Sequence, residues 1–369
     1  MSGPPHRVKE PGPVAGTRSG LGPVDLVYGG AVRIGLRIPP CAPAPEIAAL
    51  ARDAERAGFD DVWFPDSQLL WRDVFAVAAV AAGATSRVTL GTAVTNVVTR
   101  HPAVVASAAR TVAELAPGRF VLGVGVGDSA VAPVGLRPTL GAELRERLAI
   151  VRGLLAGTAV DFGGTTSRLR DPVDVPIHLA ASGPRNLRLA GELADGAILL
   201  SGVAPGPLAA ATARVQEGAR AAGRERVPMT VSAFCRVTDD VPRAAWELKP
   251  ICARIAQNGG APFLALAGVH VEVPRHLPGV YPDLVHAEDW EAAVRACDQY
   301  VPDAAAAAFA REFCLYGTAA EIADRLAGVR AAGADAVFLQ HVGSYDLPHV
   351  LLADVAEHVL PLLRASVGA

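Results

Sequence analysis

The chain has 369 residues, with 34 Lys and Arg against 37 Asp and Glu, a formal net charge of −3. Hydrophobic residues make up 51% and charged residues 19%, which excludes a chain disordered throughout. That balance carries no electrostatic footprint for nucleic acid or an anionic membrane surface, and Pro205 and Pro207 break the long uncharged stretch 196–213, so no membrane span is expected.

Residues 1–30 are rich in Gly and Pro and lack periodicity, so they read as a mobile arm ahead of a single domain over 31–369. The five cysteines are scattered, odd in number and free of any C-x-x-C pair, a pattern of neither a disulfide framework nor a zinc site. The N-terminus lacks the charged start and apolar core of a secretory signal, which points to the cytoplasm.

From residue 31 onward, short apolar runs alternate with amphipathic segments. A strand over 31–38 precedes a helix in which Ile47, Leu50, Ala54 and Ala57 share a face and Gly58 marks the end. A strand over 61–64 and a helix over 73–84 follow, then a strand over 88–94. A helix opens near Pro102, whose fixed φ suits a first turn, and a fourth strand spans 120–126. The second half repeats the rhythm. Strands are expected over 175–180, 196–200, 227–237 and 336–340, with helices over 185–193, 208–222 and 318–332.

Eight apolar strands with interposed helices predict parallel pairing with both faces covered, a (β/α)8 TIM barrel. Three stretches depart from the rhythm: a long loop over 127–139, a short hairpin within 158–174, and a helical insertion after strand 7 over about 240–315. Insertions at strand C-termini are where barrel enzymes build substrate pockets.

Barrel geometry directs attention to the residue run after each strand. Arg37, Pro39 and Pro40 follow strand one. Asp66 and Ser67 follow strand two, behind Trp63-Phe64-Pro65. That apolar setting suits a carboxyl that accepts or relays a proton; the alternative is a cap for the segment of Trp71 and Arg72, paired with that arginine. Thr92, Ala93, Val94, Thr95 and Asn96 follow strand three and lead to Arg100 and His101, where the histidine either N-caps a helix or lies under a ligand.

The run Gly123-Val124-Gly125-Val126-Gly127 is not a dinucleotide fingerprint, because Asp128 stands where the third Gly belongs; it ends a strand with close packing or makes room for a flat ligand. Gly127, Asp128 and Ser129 lie beyond it. Ala181, Ser182, Gly183 and Pro184 open a helix, either as a phosphate site on its free amides or as a plain turn capped by Ser182. His341 ends the last strand, at a site or at the surface. His270, His276 and His286 lack ligand spacing on any one element, so no metal is expected.

These pieces together resemble the luciferase-like superfamily of flavin- and deazaflavin-dependent oxidoreductases. The resemblance runs from about residue 32 to 360 and is carried by Ala57-Gly58-Phe59-Asp60-Asp61-Val62-Trp63, Leu90-Gly91-Thr92-Ala93-Val94-Thr95-Asn96 and Thr99-Arg100-His101-Pro102. Gly118-Arg119-Phe120 through Gly127-Asp128-Ser129, Ser182-Gly183-Pro184-Arg185, Ala194-Asp195-Gly196 and Gly317-Thr318 complete it. Within the superfamily, Asp66-Ser67-Gln68-Leu69-Leu70-Trp71-Arg72-Asp73 and Gly127-Asp128-Ser129-Ala130 look like the methylenetetrahydromethanopterin reductase-like branch, many of whose members use the deazaflavin F420.

The resemblance implies a non-proline cis peptide at Ala93-Val94 behind the cofactor ring, Thr95 and Asn96 near that ring, and Ser182, Gly183 and Pro184 at the cofactor phosphate. Gly127, Asp128 and Ser129 would border the same pocket, and a homodimer is implied. One departure matters: F420-dependent sugar-phosphate dehydrogenases place Asp-His after strand two, whereas Asp66-Ser67 stands here, so the acid/base role of that His does not carry over.

The expected activity is hydride transfer between F420 and a small organic substrate bearing C=C, C=N or C=O. The alternative is an FMN-dependent monooxygenase that uses reduced flavin and oxygen and needs a partner flavin reductase. F420 requires room and positive charge for its glutamates, which Arg100, Arg137 and Arg185 are candidates to supply. A cofactor-free binding barrel is the third reading, and the dense run of site-like turns argues against it.

Overall fold

The computed structural model describes residues 32–367; the arm expected over 1–30 lies outside them. Eight strands form the barrel: β1 (Arg33–Arg37), β2 (Asp61–Phe64), β3 (Thr89–Thr92), β4 (Phe120–Gly125), β5 (Ile177–Ala181), β6 (Gly196–Leu199), β7 (Met229–Val237) and β8 (Ala336–Gln340). Each pairs in parallel with the next, and β8 pairs with β1 in the register Ile34 to Val337, so the sheet closes.

The sequence alternation explains the two layers. Ile34, Leu36, Val62, Phe64, Leu90 and Leu122 point outward into the main core shared with the surrounding helices. Trp63, Val121, Ile198 and Phe338 point inward and fill the barrel, with Ala93, Val94 and Ala180 packed on them. The inner rings need empty backbone opposite. A Cβ on Gly91 would lie 2.4 Å from the Trp63 ring, and one on Gly196 2.3 Å from His178 Nε2. His178 is fully enclosed, neither ring nitrogen has a partner, and burial pushes its pKa down to about 4.

Local signals set the helix starts. Asp73 caps Val74–Ala84 by accepting from the amides of Phe75 and Ala76, and Thr318 forms a capping box with Glu321 ahead of Ala319–Ala331. His101 Nδ1 accepts from Ala103 N ahead of Pro102–Leu115, so this histidine is a helix cap. The expected third strand, 88–94, stops at Thr92; the Ala93–Val94 peptide is cis, and Thr95–Asn96 then pairs with β4. The hairpin joins Val160–Asp161 to Thr166–Ser167.

After β7 the chain makes a helical insertion: Val241–Ala244, Lys249–Gln257, Ala261–Ala265, Trp290–Cys297 and Asp303–Phe313. It has its own hydrophobic cluster, including Leu248, Cys252, Leu264, Cys297, Phe309 and Phe313. Lys249, buried beneath it, pairs with Asp298 and Asp303, each at 2.6 Å. Leu315–Gly317 then pairs with the end of β7. Among the described residues no helix is long and apolar enough to cross a membrane.

At the N-terminal end of the strands lies a polar cavity of about 520 Å³, lined by Arg33, Glu55, Arg87, Arg119 and Arg364 among others. Its charges are spent on the protein. Arg33 pairs with Asp61 at 2.5 Å, Arg119 and Arg364 donate to backbone carbonyls, and Glu55 accepts from the amides of Ser86, Arg87 and Val88. This end ties strand starts together, and the chemistry belongs at the other end.

Candidate active site

At the C-terminal mouth of the barrel, the loops after β2, β3 and β4 are bonded to one another. Asp66, its side chain 1% exposed, forms an ion pair with Arg100 and accepts a hydrogen bond from Thr95 Oγ1 at 2.6 Å. Arg100 also reaches Asp73 at 2.7 Å and lies over the Phe75 ring. The partner of Asp66 is thus Arg100, not Arg72, whose side chain among the described residues bonds the carbonyl of Pro40. Both carboxylate oxygens of Asp66 are engaged, so it is an ordering group in a network rather than an isolated carboxyl in an apolar pocket.

Ser67 and Asn96 lie beside it, both buried. Asn96 Oδ1 accepts from the amides of Val98 and Thr99, each at 2.9 Å, a local turn that fixes the side chain. Among the described residues its Nδ2 has no partner, nor has Ser67 Oγ, nor Gln68 Oε1. Gln68 Nε2 donates to the carbonyl of Ala130 at 2.6 Å and so fastens the β2 loop to the β4 loop. Thr92 Oγ1 is spent on the carbonyl of Gly123. Gly127, at φ +81°, brings the β4 loop against Asn96; a Cβ there would lie 2.7 Å from Val131 Cγ1 and 3.5 Å from Asn96 Cβ. Val94 occupies the space that Gly125 leaves, since a Cβ on Gly125 would lie 2.6 Å from Val94 Cγ2.

Asp128 departs from this cluster. It is exposed on the rim, 3.6 Å from Arg254 of the insertion helix Lys249–Gln257, and Ser129 is half-buried beside it. Ala181 ends β5, and Gly183 N-caps Pro184–Leu193 without any side-chain cap, so Ser182 leaves the first-turn amides open. No heavy atom lies within 4 Å of a Cβ built on Gly183, so the approach to that helix end is clear. In the eight-strand ring β5 lies diametrically opposite β1.

The roof comes from the insertion and the β8 loop. Trp71 donates from Nε1 to the carbonyl of Ser344 at 2.7 Å, and its ring meets His286 edge-on at 5.4 Å. His286 Nδ1 bonds Asp283, and Ser344 Oγ donates to the carbonyl of Val285. His341 is half-buried near Arg37: burial, and then that cation, hold its pKa down to about 4, its Nε2 meets the carbonyl of Asp346 at 3.0 Å, and its Nδ1 has no partner among the described residues. Arg254, Asp283 and His286 carry no local motif, and only the packing of the insertion reveals their place.

Buried donors and acceptors without partners are uncommon in folded proteins and mark where a ligand completes the bonding. Among the described residues several such atoms lie inside the barrel or under its helices, as at His178 and Arg52, but Ser67 Oγ, Gln68 Oε1 and Asn96 Nδ2 lie together at the mouth, where the helix end at Gly183 is also open. The residues present therefore fit a flat ring held near Val94 and Asn96 with a phosphate at Gly183.

The sequence profile of the luciferase-like monooxygenase family matches residues 26–336. A 5,10-methylenetetrahydromethanopterin reductase of Methanolobus tindarius is 34% identical over 244 residues, 63% of this chain and 73% of that protein. An F420-dependent glucose-6-phosphate dehydrogenase of Beutenbergia cavernae is 44% identical over 169 residues, 40% of this chain and half the length of that relative. The solved structure of the coenzyme F420-dependent tetrahydromethanopterin reductase from Methanopyrus kandleri superposes with a TM-score of 0.70 at 22% identity, covering 90% of this chain and 100% of that one, a likeness of fold. With its closed parallel barrel, its cis Ala93–Val94 bond and a profile match over most of its length, the chain belongs to the luciferase-like monooxygenase family.

Proposed function

We propose that the chain is an F420-dependent oxidoreductase acting on a small organic substrate. The observation that carries this reading is the pairing of an uncapped, open helix N-terminus at Gly183 with unpartnered buried groups at Ser67 and Asn96 across the barrel mouth. The names of the related reductases and dehydrogenases support the choice of deazaflavin.

When bound, the deazaflavin supplies the carbon that gives or accepts hydride. The chain's own residues do the rest. The turn of Ala181, Ser182, Gly183 and Pro184 would seat the phosphate against the free amides of the helix it opens, those of Arg185 and Asn186, since Pro184 has no N–H to give. Thr92, Ala93, Val94, Thr95 and Asn96 form the bed for the ring, with Asn96 Nδ2 as a donor already fixed in direction. Gly127, Asp128 and Ser129 border the pocket, Asp128 from its rim. Asp66 holds Arg100 and Thr95 in place, and the Ser67 hydroxyl is the nearby group free to hold a proton. The roof around Trp71 and His286 excludes water, which strengthens each polar contact beneath it.

The test is an equilibrium titration of the purified chain with F420 and, separately, with FMN in oxidised and reduced forms. The expected result is binding of F420 in clear preference to FMN. A preference for reduced FMN would overturn the reading in favour of an oxygen-using monooxygenase and require a partner reductase.

A further inference from the structure

Arg37 stands at the C-terminal end of β1, in register with Trp63 of β2. Gly35, two residues earlier, points at the Trp63 ring inside the barrel, so Arg37 projects on the same inner side at the mouth. Its guanidinium lies 5.5 Å from the centre of the Trp71 ring. Among the described residues it makes no ion pair and no side-chain hydrogen bond. The groups facing it are Trp71, Cys41 and His341, while Asp346, the carboxylate of this corner, interacts with Cys41 and His341. Desolvation is strong enough to push the Arg37 pKa down to about 10.

A desolvated guanidinium without an anion is costly, and proteins rarely keep one unless a ligand supplies the counter-charge. Of the other arginines at this mouth, Arg100 is matched with Asp66 and Asp73 and Arg254 with Asp128, whereas Arg72 is exposed and bonds the carbonyl of Pro40. Trp71, pinned by Ser344, holds Arg37 against an aromatic face and leaves its planar fork free for two parallel hydrogen bonds, the geometry a carboxylate or phosphate accepts.

We propose that Arg37 is the specificity-determining residue for the substrate and that the substrate carries an anionic oxyacid group, a carboxylate or a phosphate. The proposal rests on the oxidoreductase reading for the word substrate, and the position of Arg37 separates it from the cofactor's own anions. β1 and β5 are diametrically opposite in the ring, so a phosphate at Gly183 and an anion at Arg37 occupy opposite rims with the ring bed between them.

The experiment is isothermal calorimetry with cinnamate, phenyl phosphate and uncharged cinnamamide, on wild type, Arg37→Gln and Arg37→Lys, each with and without saturating F420. Wild type should bind at least one of the two anions more tightly than cinnamamide, and the tighter one names the oxyacid. Arg37→Gln should weaken that anion at least tenfold, Arg37→Lys should weaken it less, and cinnamamide should not distinguish the three. F420 affinity should be the same in all three.

Anion binding indifferent to Arg37, or no preference of wild type for either anion over cinnamamide, overturns the proposal. So does a loss of F420 affinity in Arg37→Gln, which would assign the residue to the cofactor's glutamate tail. If F420 fails to bind wild type while anion binding still depends on Arg37, the cofactor reading falls and the anion site stands.

Discussion

Asp66 and Arg100 meet as a buried ion pair that joins the end of β2 to the segment after Thr95–Asn96. Removing one partner of such a pair leaves a charge without its counter-charge in a poorly solvated place. Asp66→Ala should therefore cost about 3 kcal/mol, the low end of the usual range because Asp73 still reaches Arg100. Urea unfolding measures it, and a loss below about 1 kcal/mol would show that the pair behaves like a surface one.

Ser67→Ala should behave in the opposite way. The Ser67 hydroxyl is buried with no partner, so its removal relieves an unsatisfied group and leaves the melting temperature unchanged or slightly higher. Stability without ligand and F420 affinity should both survive, while hydride transfer slows once a substrate is in hand. A large drop in melting temperature would mean that the hydroxyl holds the fold.

The open helix end gives a cleaner separation of fold from binding. Gly183 has φ −85° and empty space where a Cβ would go, so Gly183→Leu should fold and melt as wild type does. Its side chain would stand where the phosphate approaches, and F420 affinity should fall at least tenfold, read by fluorescence titration. Unchanged affinity would remove Ser182, Gly183 and Pro184 from the site.

Inside the barrel, Gly196 and His178 are coupled by space. Gly196→Ala puts a methyl on the imidazole and should cost about 1–3 kcal/mol as overpacking. In a His178→Ala background that cost should vanish, so a double-mutant cycle should give a coupling of similar size. Additive effects would show that the ring moves aside freely.

Acid should destabilise the protein through the buried His178 and, to a smaller extent, the half-buried His341. His178 and His341 both fall from 6.5 to about 4 on folding, first because burial disfavours their charged forms. The unfolded chain then binds more protons, so the stability from each is complete above pH 6.5 and is lost as pH falls toward 4. The full loss for His178 is on the order of 3 kcal/mol, and the contribution of His341 is smaller because water reaches it. His178→Asn should flatten the slope of unfolding free energy between pH 6.5 and 4; an unchanged slope would place the titration elsewhere.

The barrel is legible in the sequence because a doubly covered parallel strand needs apolar side chains on both faces, and 61–64 and 336–340 show that pattern without ambiguity. The helix Gly141–Leu155 is hard to place because it begins at a glycine in the left-handed region with no capping side chain, although Leu144, Leu148 and Val151 are spaced for burial. At the site, local signals place Asp66, Ser67 and Asn96, but the choice of Arg100 over Arg72 as the partner of Asp66 depends on loops that meet only after the sheet closes. His341 gives no local sign of its place beside Arg37. The closure of β8 on β1 sets its surroundings.

The insertion builds a hydrophobic cluster apart from the main core, which reaches Ala204 and packs on Phe234 and Val342 of the barrel, and it adds polar and aromatic contacts such as Arg254 with Asp128 and His286 with Trp71. The proposed pocket floor and its roof thus belong to two hydrophobic clusters that meet along one seam. A substitution confined to the roof cluster, away from that seam, should therefore leave the barrel core unmoved, so the insertion is the part of this chain that can be reshaped without refolding the barrel.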